Sequence, residues 1–360
     1  MKAITVITIV IFALLGVSSL HSEENKIKIK GDFRYRHETI DEDGSDTRNR
    51  HRMRARIGLS AQVNENIGAL IQISSGSSDP VSNNQSLDEG FSSKDINLDL
   101  AYFSWKPRQL NGLELFGGKM KNPFYCVQKS ELLWDPDLNP EGLAGRFAYD
   151  VNMAKIFIGA GFFWIEESAG DDDSYIAGVQ TRIEYIFPDR ETYMIAGMGF
   201  YNFLNTQGFE PFYDAEDSSG NSLDFNGNYS EDYDELDFFA EFGTMIRSLP
   251  VAIFGDLVTN TAAKKDDLGW LVGISLGKTE NPGSWKVRYQ YKYQEKDAVV
   301  GVFTDSDFIG GGTNGRGHEL NFDYMVMKNT TFAVTYFITQ KNLDDEKDYN
   351  RLQVDLKLAF

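Results

Sequence analysis

The sequence predicts an all-β fold: a transmembrane antiparallel β-barrel of about 16 strands with short periplasmic turns and long extracellular loops. Three observations predict it. Runs of about ten residues alternate in polarity with period two along nearly the whole chain, as strands with one apolar and one polar face do. The connectors between runs alternate short and long over an even number of runs. The composition is rich in Gly (33) and in Phe plus Tyr (43), with one Cys and four His among 360 residues, which argues against a disulfide or zinc framework.

Closure explains the pattern. In lipid every backbone N–H and C=O must find a partner inside the protein, so a sheet has to close on itself. One face then meets hydrocarbon and the other water, which gives the period of two. A soluble β-sandwich or propeller also alternates, but it has no reason to keep Arg, Lys and Glu on one face of run after run. The length also allows two or three soluble domains. The formal charge of −19 argues against nucleic-acid binding, which needs a dominant basic face.

Residues 1–22 read as a signal peptide. Lys2 precedes an apolar run, residues 3–17, closed by Ser18, Ser19 and Ser22. The run is shorter than the roughly 20 residues a spanning helix needs. Cleavage is expected after Ser22, with Ser19 as the second position; a buried amino-terminal helix is the competing reading. Residues 23–360 then form one outer-membrane barrel.

In chain order, residues 27–38 set Ile27, Ile29, Phe33 and Tyr35 against Asp32, Arg34 and Arg36. Residues 50–63 set Met53, Ala55, Ile57, Leu59, Ala61 and Val63 against Arg50, Arg52, Arg54, Arg56, Ser60 and Gln62. Runs follow at 67–76 and 96–106, then a weak pair at 113–119 and 143–150. The clean pattern resumes at 153–164, 174–187, 192–202, 235–247, 251–260, 268–278 and 285–294. It ends with 318–327, 330–340 and 349–360, for sixteen runs in all. Trp164, Phe187, Phe200, Trp270, Trp285 and Phe360 fall near run ends on the apolar face, where interfacial aromatic girdles lie.

The connector 120–142 breaks the pattern. It holds the only Cys, Cys126, with several Pro and the carboxylates Glu131, Asp135, Asp137 and Glu141. It is the candidate inward constriction loop, with Lys119 and Lys121 at its root. The other wall of a constriction is a basic ladder: Arg34 and Arg36 on one run, and Arg50, Arg52, Arg54 and Arg56 on the next. A hairpin brings these six guanidiniums onto one patch. Such crowding is costly in a dry core and tolerable in a wet lumen facing carboxylates. The ladder reads as a pore wall or as a structural network anchoring loops, and both roles can coexist.

The outer connectors are acidic, for example Asp41–Asp43, Asp171–Asp173 and Asp344–Glu346. This is a solvated surface, or a place for divalent cations between lipopolysaccharide phosphates. Gly310, Gly312 and Gly315 spell G-x-G-x-x-G without a following helix, so the dinucleotide context is missing. Residues 224–228 lack the later ligands of a calcium loop. Cys126 has no partner, and His37, His51 and His318 lack metal-ligand spacing. No Ser/His pairing or other catalytic constellation is present. No catalytic residue, cofactor or metal site is assigned.

Four phrases, GKMKNPF (118–124), LLWDPDLNPEGLA (132–144), FGDLVTN (254–260) and FTDSDFIGGGTNGRGHEL (303–320), together resemble the "Putative porin" family of Gram-negative outer-membrane proteins. The resemblance implies a non-enzymatic channel in the outer membrane for passive diffusion of ions and small hydrophilic solutes. By similarity to sixteen-stranded porins, the third long loop would fold inward and homotrimers would form, although the acidic loop phrase of those porins is missing. Phe360 resembles the carboxy-terminal signal read by the barrel-assembly machinery. The expected surroundings are outer-membrane lipid and lipopolysaccharide. An anion- or oxyanion-selective substrate channel and a structural or adhesive barrel are the alternatives.

Overall fold

The computed structural model describes residues 27–169 and 172–360. The signal-peptide reading, residues 1–22, lies outside the described residues. Strands β1 (Ile27–Glu42), β2 (Arg48–Gln62), β3 (Ile67–Ser75) and β5 (Ile96–Trp105) start the wall, with a two-residue strand β4 (Gln85–Ser86) between the last two in sequence. β6 (Leu113–Lys119), β7 (Glu141–Val151), β8 (Ala154–Glu166), β9 (Ser174–Ile186), β10 (Tyr193–Leu204) and β11 (Tyr233–Ile246) continue it. β12 (Leu249–Asn260), β13 (Leu268–Gly277), β14 (Trp285–Gln294), β15 (Gly315–Met327), β16 (Thr330–Lys341) and β17 (Lys347–Ala359) complete it.

Sixteen of these form a closed antiparallel barrel in sequence order, β3 pairing β5 directly and β17 pairing back onto β1. β4 is not a wall strand. It pairs with β2 at Arg52↔Ser86 and Met53↔Gln85, beyond the Arg56↔Ser74 pair at which the β2–β3 ladder ends. At the closing seam Gly31 and Phe360 exchange both backbone hydrogen bonds, at 2.9 and 3.0 Å.

Each of the sixteen expected runs falls on one wall strand. The differences lie mostly at the extracellular ends, where strands run on beyond the alternating stretch. β1 and β2 reach Glu42 and Arg48, so the expected connector 39–49 shrinks to 43–47. Above the bilayer both faces meet water, so the polarity pattern lapses while the backbone ladder continues.

The outer face is apolar and exposed: Ile57, Ile71, Ile183, Ile253, Val272 and Leu320 all point outward. Of the expected girdle residues, Trp164, Phe200, Trp285 and Phe360 are exposed. Phe187 packs against Tyr185 and Phe242, and Trp270 stacks on Tyr293 and lies tilted against Tyr291.

The buried apolar core sits inside the barrel. Phe124, Val127, Leu132 and Trp134 of segment 120–140 pack with Phe163, Tyr201, Phe203, Phe239 and Phe254 of the inner wall. Phe212 and Tyr229 of segment 205–232 and Val299, Val300 and Phe303 of segment 295–314 join the same cluster. The seat is shaped by a missing side chain. A Cβ on Gly178 would lie 2.7 Å from the Phe124 ring, so only glycine leaves room for Phe124 against the wall.

Candidate channel constriction

The β1–β2 hairpin sets Arg34 opposite Arg54 and Arg36 opposite Arg52. The same inward face carries Asp32 opposite Arg56 and Glu38 opposite Arg50. The ladder is therefore interleaved with carboxylates of its own strand. Asp32 takes Arg54 (3.0 Å) and Arg56 (2.7 Å), and Glu38 takes Arg50 and, from β17, Arg351 (2.8 Å).

Two inward segments supply the rest. Asp137 of segment 120–140 accepts from Arg54 at 3.4 Å and from Arg56 at 3.1 Å. Burial alone would raise the Asp137 carboxyl, but Arg54 and Arg56 outweigh it and hold it below the usual carboxylate range. Asp307 of segment 295–314 bridges Arg36 (3.0 Å) and Arg351 (2.7 Å). A third segment, 76–95, reaches the ladder through Ser82 and Asn84, which accept from Arg52 and Arg34.

The other side of segment 120–140 is held by β14 and β11. Arg288 donates to the carbonyls of Gln128 (3.0 Å) and Lys129 (3.3 Å), and Lys286 to the Gln128 side chain. Lys292 reaches the Glu131 carbonyl, and Gln128 and Tyr125 donate to Glu241 of β11. Contacts from β2 at one side to β11 and β14 at the other place this segment across the barrel interior.

Glu131, Asp135 and Asp305 converge, with one oxygen of each within 4.8 Å of the others, an arrangement able to hold a cation. Lys292 already stands there as counter-charge, 3.0 Å from Asp305. Burial first, and Asp305 among the acidic neighbours, push Glu131 and Asp135 above the usual range.

The apolar cluster closes one part of the lumen, and two polar cavities adjoin the arginine ladder. The outer one, about 840 Å³, reaches from the loops down to Arg50, Arg351 and Ser306. The inner one, about 470 Å³, is lined by Arg34, Arg36, Arg54, Asp137, Ser306 and Asp307 among others. Ser306 borders both, and along β2 the lining passes from Arg50 to Arg54, so the two cavities approach each other at the level of Arg36 and Arg52. Basic and acidic side chains balance in each lining, five against five outside and eight against eight inside. A chain of net charge −19 thus lines these two cavities with balanced, separated charges.

Of the residues singled out by sequence, the six arginines share one inward patch, and Asp137 meets two of them. Asp135 and Glu131 border the inner cavity beside Asp305. Lys121 lies where Asp99, Arg56 and Asp137 act on it. Lys119 and Glu141 do not join them. They end β6 and open β7, and pair with each other at 2.7 Å across that register, because β7 begins two residues inside the segment expected to be loop. Sequence reading missed Asp307, Asp355, Asn84 and Arg351. The alternation of β14 and β17 displayed the inward Lys286, Arg288, Arg351 and Asp355, but not what they would hold. The glycine phrase has a packing role: Gly312, at φ +81°, brings its backbone so near Ser219 that a Cβ would lie 2.2 Å from the Ser219 carbonyl.

Comparison with known structures finds the same fold. The high-pH structure of OprB from Pseudomonas putida aligns with a TM-score of 0.60 at 10% identity, covering 93% of this chain and 94% of that one. The outer membrane channel DcaP of Acinetobacter baumannii gives 0.53 at 12% identity, covering 93% and 97%. OmpT, an outer membrane protein of Vibrio cholerae in its trimer form, gives 0.53 at 13% identity, covering 93% and 100%. The comparison with curated proteins gives no match. The family model described as "Putative porin" matches residues 39–230 and 209–360. With a closed sixteen-stranded barrel and polar cavities lined by the arginine ladder, the chain belongs to that porin family and is an outer-membrane porin channel.

Proposed function

We propose that this barrel conducts ions and small hydrophilic solutes by passive diffusion, without catalysis, through the space between the β1–β2 ladder and the inward segments. One observation carries the reading: two polar cavities, one reaching the outer loops and one reaching the Lys278–Thr279 turn, share Ser306 and approach each other beside Arg36, Arg52 and Asp307, the place we assign to the neck. Arg34, Arg36, Arg50, Arg52, Arg54 and Arg56 are its basic wall. Asp135, Asp137 and Glu131 of segment 120–140, joined by Asp305 and Asp307, are its acidic wall. Opposed charges across a narrow wet gap make a transverse field that orders water and sorts solutes by charge and dipole.

Export by an amino-terminal signal peptide, recognition of Phe360 by the barrel-assembly machinery, and a lipopolysaccharide-bordered rim belong to the same reading. A homotrimer is supported by the trimer form of the similar OmpT fold. The test is planar-bilayer recording of the purified full-length protein in a salt gradient. Replacing Arg50, Arg52, Arg54 and Arg56 by Gln should shift the reversal potential towards cation preference and change the conductance. An unchanged reversal potential and conductance would remove the ladder from the constriction.

A further inference from the structure

Around the neck, Arg36, Arg50, Arg54, Arg56 and Arg351 all bond to carboxylates. Arg34 and Arg52 differ. Arg34 donates Nη2 to the Asn84 amide oxygen. Arg52 donates Nη2 to the Asn84 main-chain carbonyl at 3.3 Å and to Ser82 Oγ at 3.5 Å. The carboxylate closest to Arg52 in an ion pair is Glu38, at 3.9 Å, and Glu38 already takes Arg50 and Arg351. The Nε–H groups of Arg34 and of Arg52 are both buried and lack a hydrogen-bond acceptor. Two guanidiniums are thus satisfied mainly by neutral oxygens of one short segment, each with a donor left over.

Their placement is favourable for a shared ligand. Arg34 stands opposite Arg54, and Arg52 is the next inward residue along β2 from Arg54. Arg34 and Arg52 are therefore diagonal neighbours on one face, about 7–8 Å apart at the backbone. Arg34 lines the inner cavity, and Arg52 stands on β2 between Arg50 of the outer lining and Arg54 of the inner one. Asn84 is anchored next to β4, whose backbone pairs with β2, but its amide group hangs on a short side chain that can turn. The amide oxygen occupies the place an anionic oxygen would take.

We propose that Arg34 and Arg52 form an anion-binding station in the neck, which takes small oxyanions or carboxylates in exchange for the Asn84 amide. The inference rests on the porin reading and deepens it: the channel has one specific step for anions instead of a uniform basic wall. The chemistry is direct. A guanidinium bonds an ionised oxygen more strongly than an amide oxygen, and its planar fork offers Nε and Nη together to one anion. The free Nε–H groups of both residues supply that second point. The other arginines cannot serve, since an anion would have to displace a covalently tethered carboxylate.

The experiment is single-channel recording in potassium chloride with inorganic phosphate, then succinate, added to one side. Wild type should show a saturable reduction of chloride current. Arg34→Gln combined with Arg52→Gln should raise the half-blocking concentration about tenfold or more. Arg54→Gln with Arg56→Gln should alter the open-channel current yet keep the half-blocking concentration within about twofold. Asn84→Asp, which leaves both arginines in place, should abolish the block by filling the station from within. Normal chloride conductance without saturable block in wild type overturns the station and leaves the porin reading standing. Absence of any conductance in wild type overturns both. Equal weakening by the Arg54/Arg56 pair, or persistent block in Asn84→Asp, shows a general charge effect and overturns the station.

Discussion

Arg36 and Asp355 face each other across the seam that closes the barrel. Arg36 Nε lies 2.7 Å from Asp355 Oδ1, and Nη2 lies 2.9 Å from Oδ2. Both side chains are at most 5% exposed, so the two-point pair is shielded from solvent. Removing one partner of a buried pair strands the other. Asp355→Ala should therefore cost about 3 kcal/mol of barrel stability. Urea titration followed by the gel mobility of folded and unfolded barrels measures it. A loss below about 1 kcal/mol would mean that Asp307 and Glu38 suffice for Arg36.

Asp137 ties segment 120–140 to the ladder through Arg54 and Arg56. Asp137→Asn keeps the shape and removes the charge. The segment should loosen at that end, so open-channel current should rise and become noisier while the barrel remains folded. Unchanged current and noise would show that the β11 and β14 contacts alone fix the segment.

Docking of this segment should depend on pH in two opposing ways. Asp137 is held below its ordinary range, so its contribution is complete above about pH 5 and fades as pH falls below about 4, towards its folded value. Glu131 and Asp135 are pushed up, burial being the first cause. Their neutral forms suit the fold, so their contribution is full below about pH 4 and is lost as pH rises through the raised values. Docking should therefore be firmest in mild acid and weaken on both sides. Acrylamide quenching of Trp134, with the other four Trp replaced by Phe, reads this directly. Glu131→Gln should flatten the alkaline side and Asp137→Asn the acid side; a monotonic profile in the parent would refute the opposition.

Phe124 is the apolar anchor of the segment. Its ring lies 4.8 Å from that of Tyr201, above Gly178. Phe124→Ala should cost about 3–5 kcal/mol of packing energy, spent on docking of the segment. Conductance should increase while heat-modifiable mobility on gels persists. A barrel that loses its folded mobility instead would make the apolar cluster a requirement for the wall itself.

The wall was legible because lipid imposes one rule on every strand: apolar outward, polar inward. Arg34, Arg36 and Arg50–Arg56 could be placed on one patch because a hairpin and a period of two determine it. What neutralises them was less legible. Asp137 stood out as an acidic residue in an irregular segment, whereas Asp307 and Asn84 lie in segments whose course depends on distant inward side chains. No local pattern records that Arg288 of β14 holds the carbonyls of Gln128 and Lys129. Glu141 was assigned to the loop because strand pairing outlasts the alternation that signals it.

The register that sets Arg34 against Arg54 and Arg36 against Arg52 also bears on the order of assembly. Like charges directly opposite each other destabilise an isolated hairpin. Asp32 and Glu38 relieve part of it within the hairpin, and the rest comes from Asp137, Asp307 and Asp355, which lie 81, 271 and 319 positions from their arginine partners. The amino-terminal hairpin is thus electrostatically incomplete until the last strand and two inward segments have arrived. Contacts so remote in sequence form late and slowly. A half-built barrel carries the repulsion and a finished one does not, so the charges that shape the neck also favour closing the seam over remaining open.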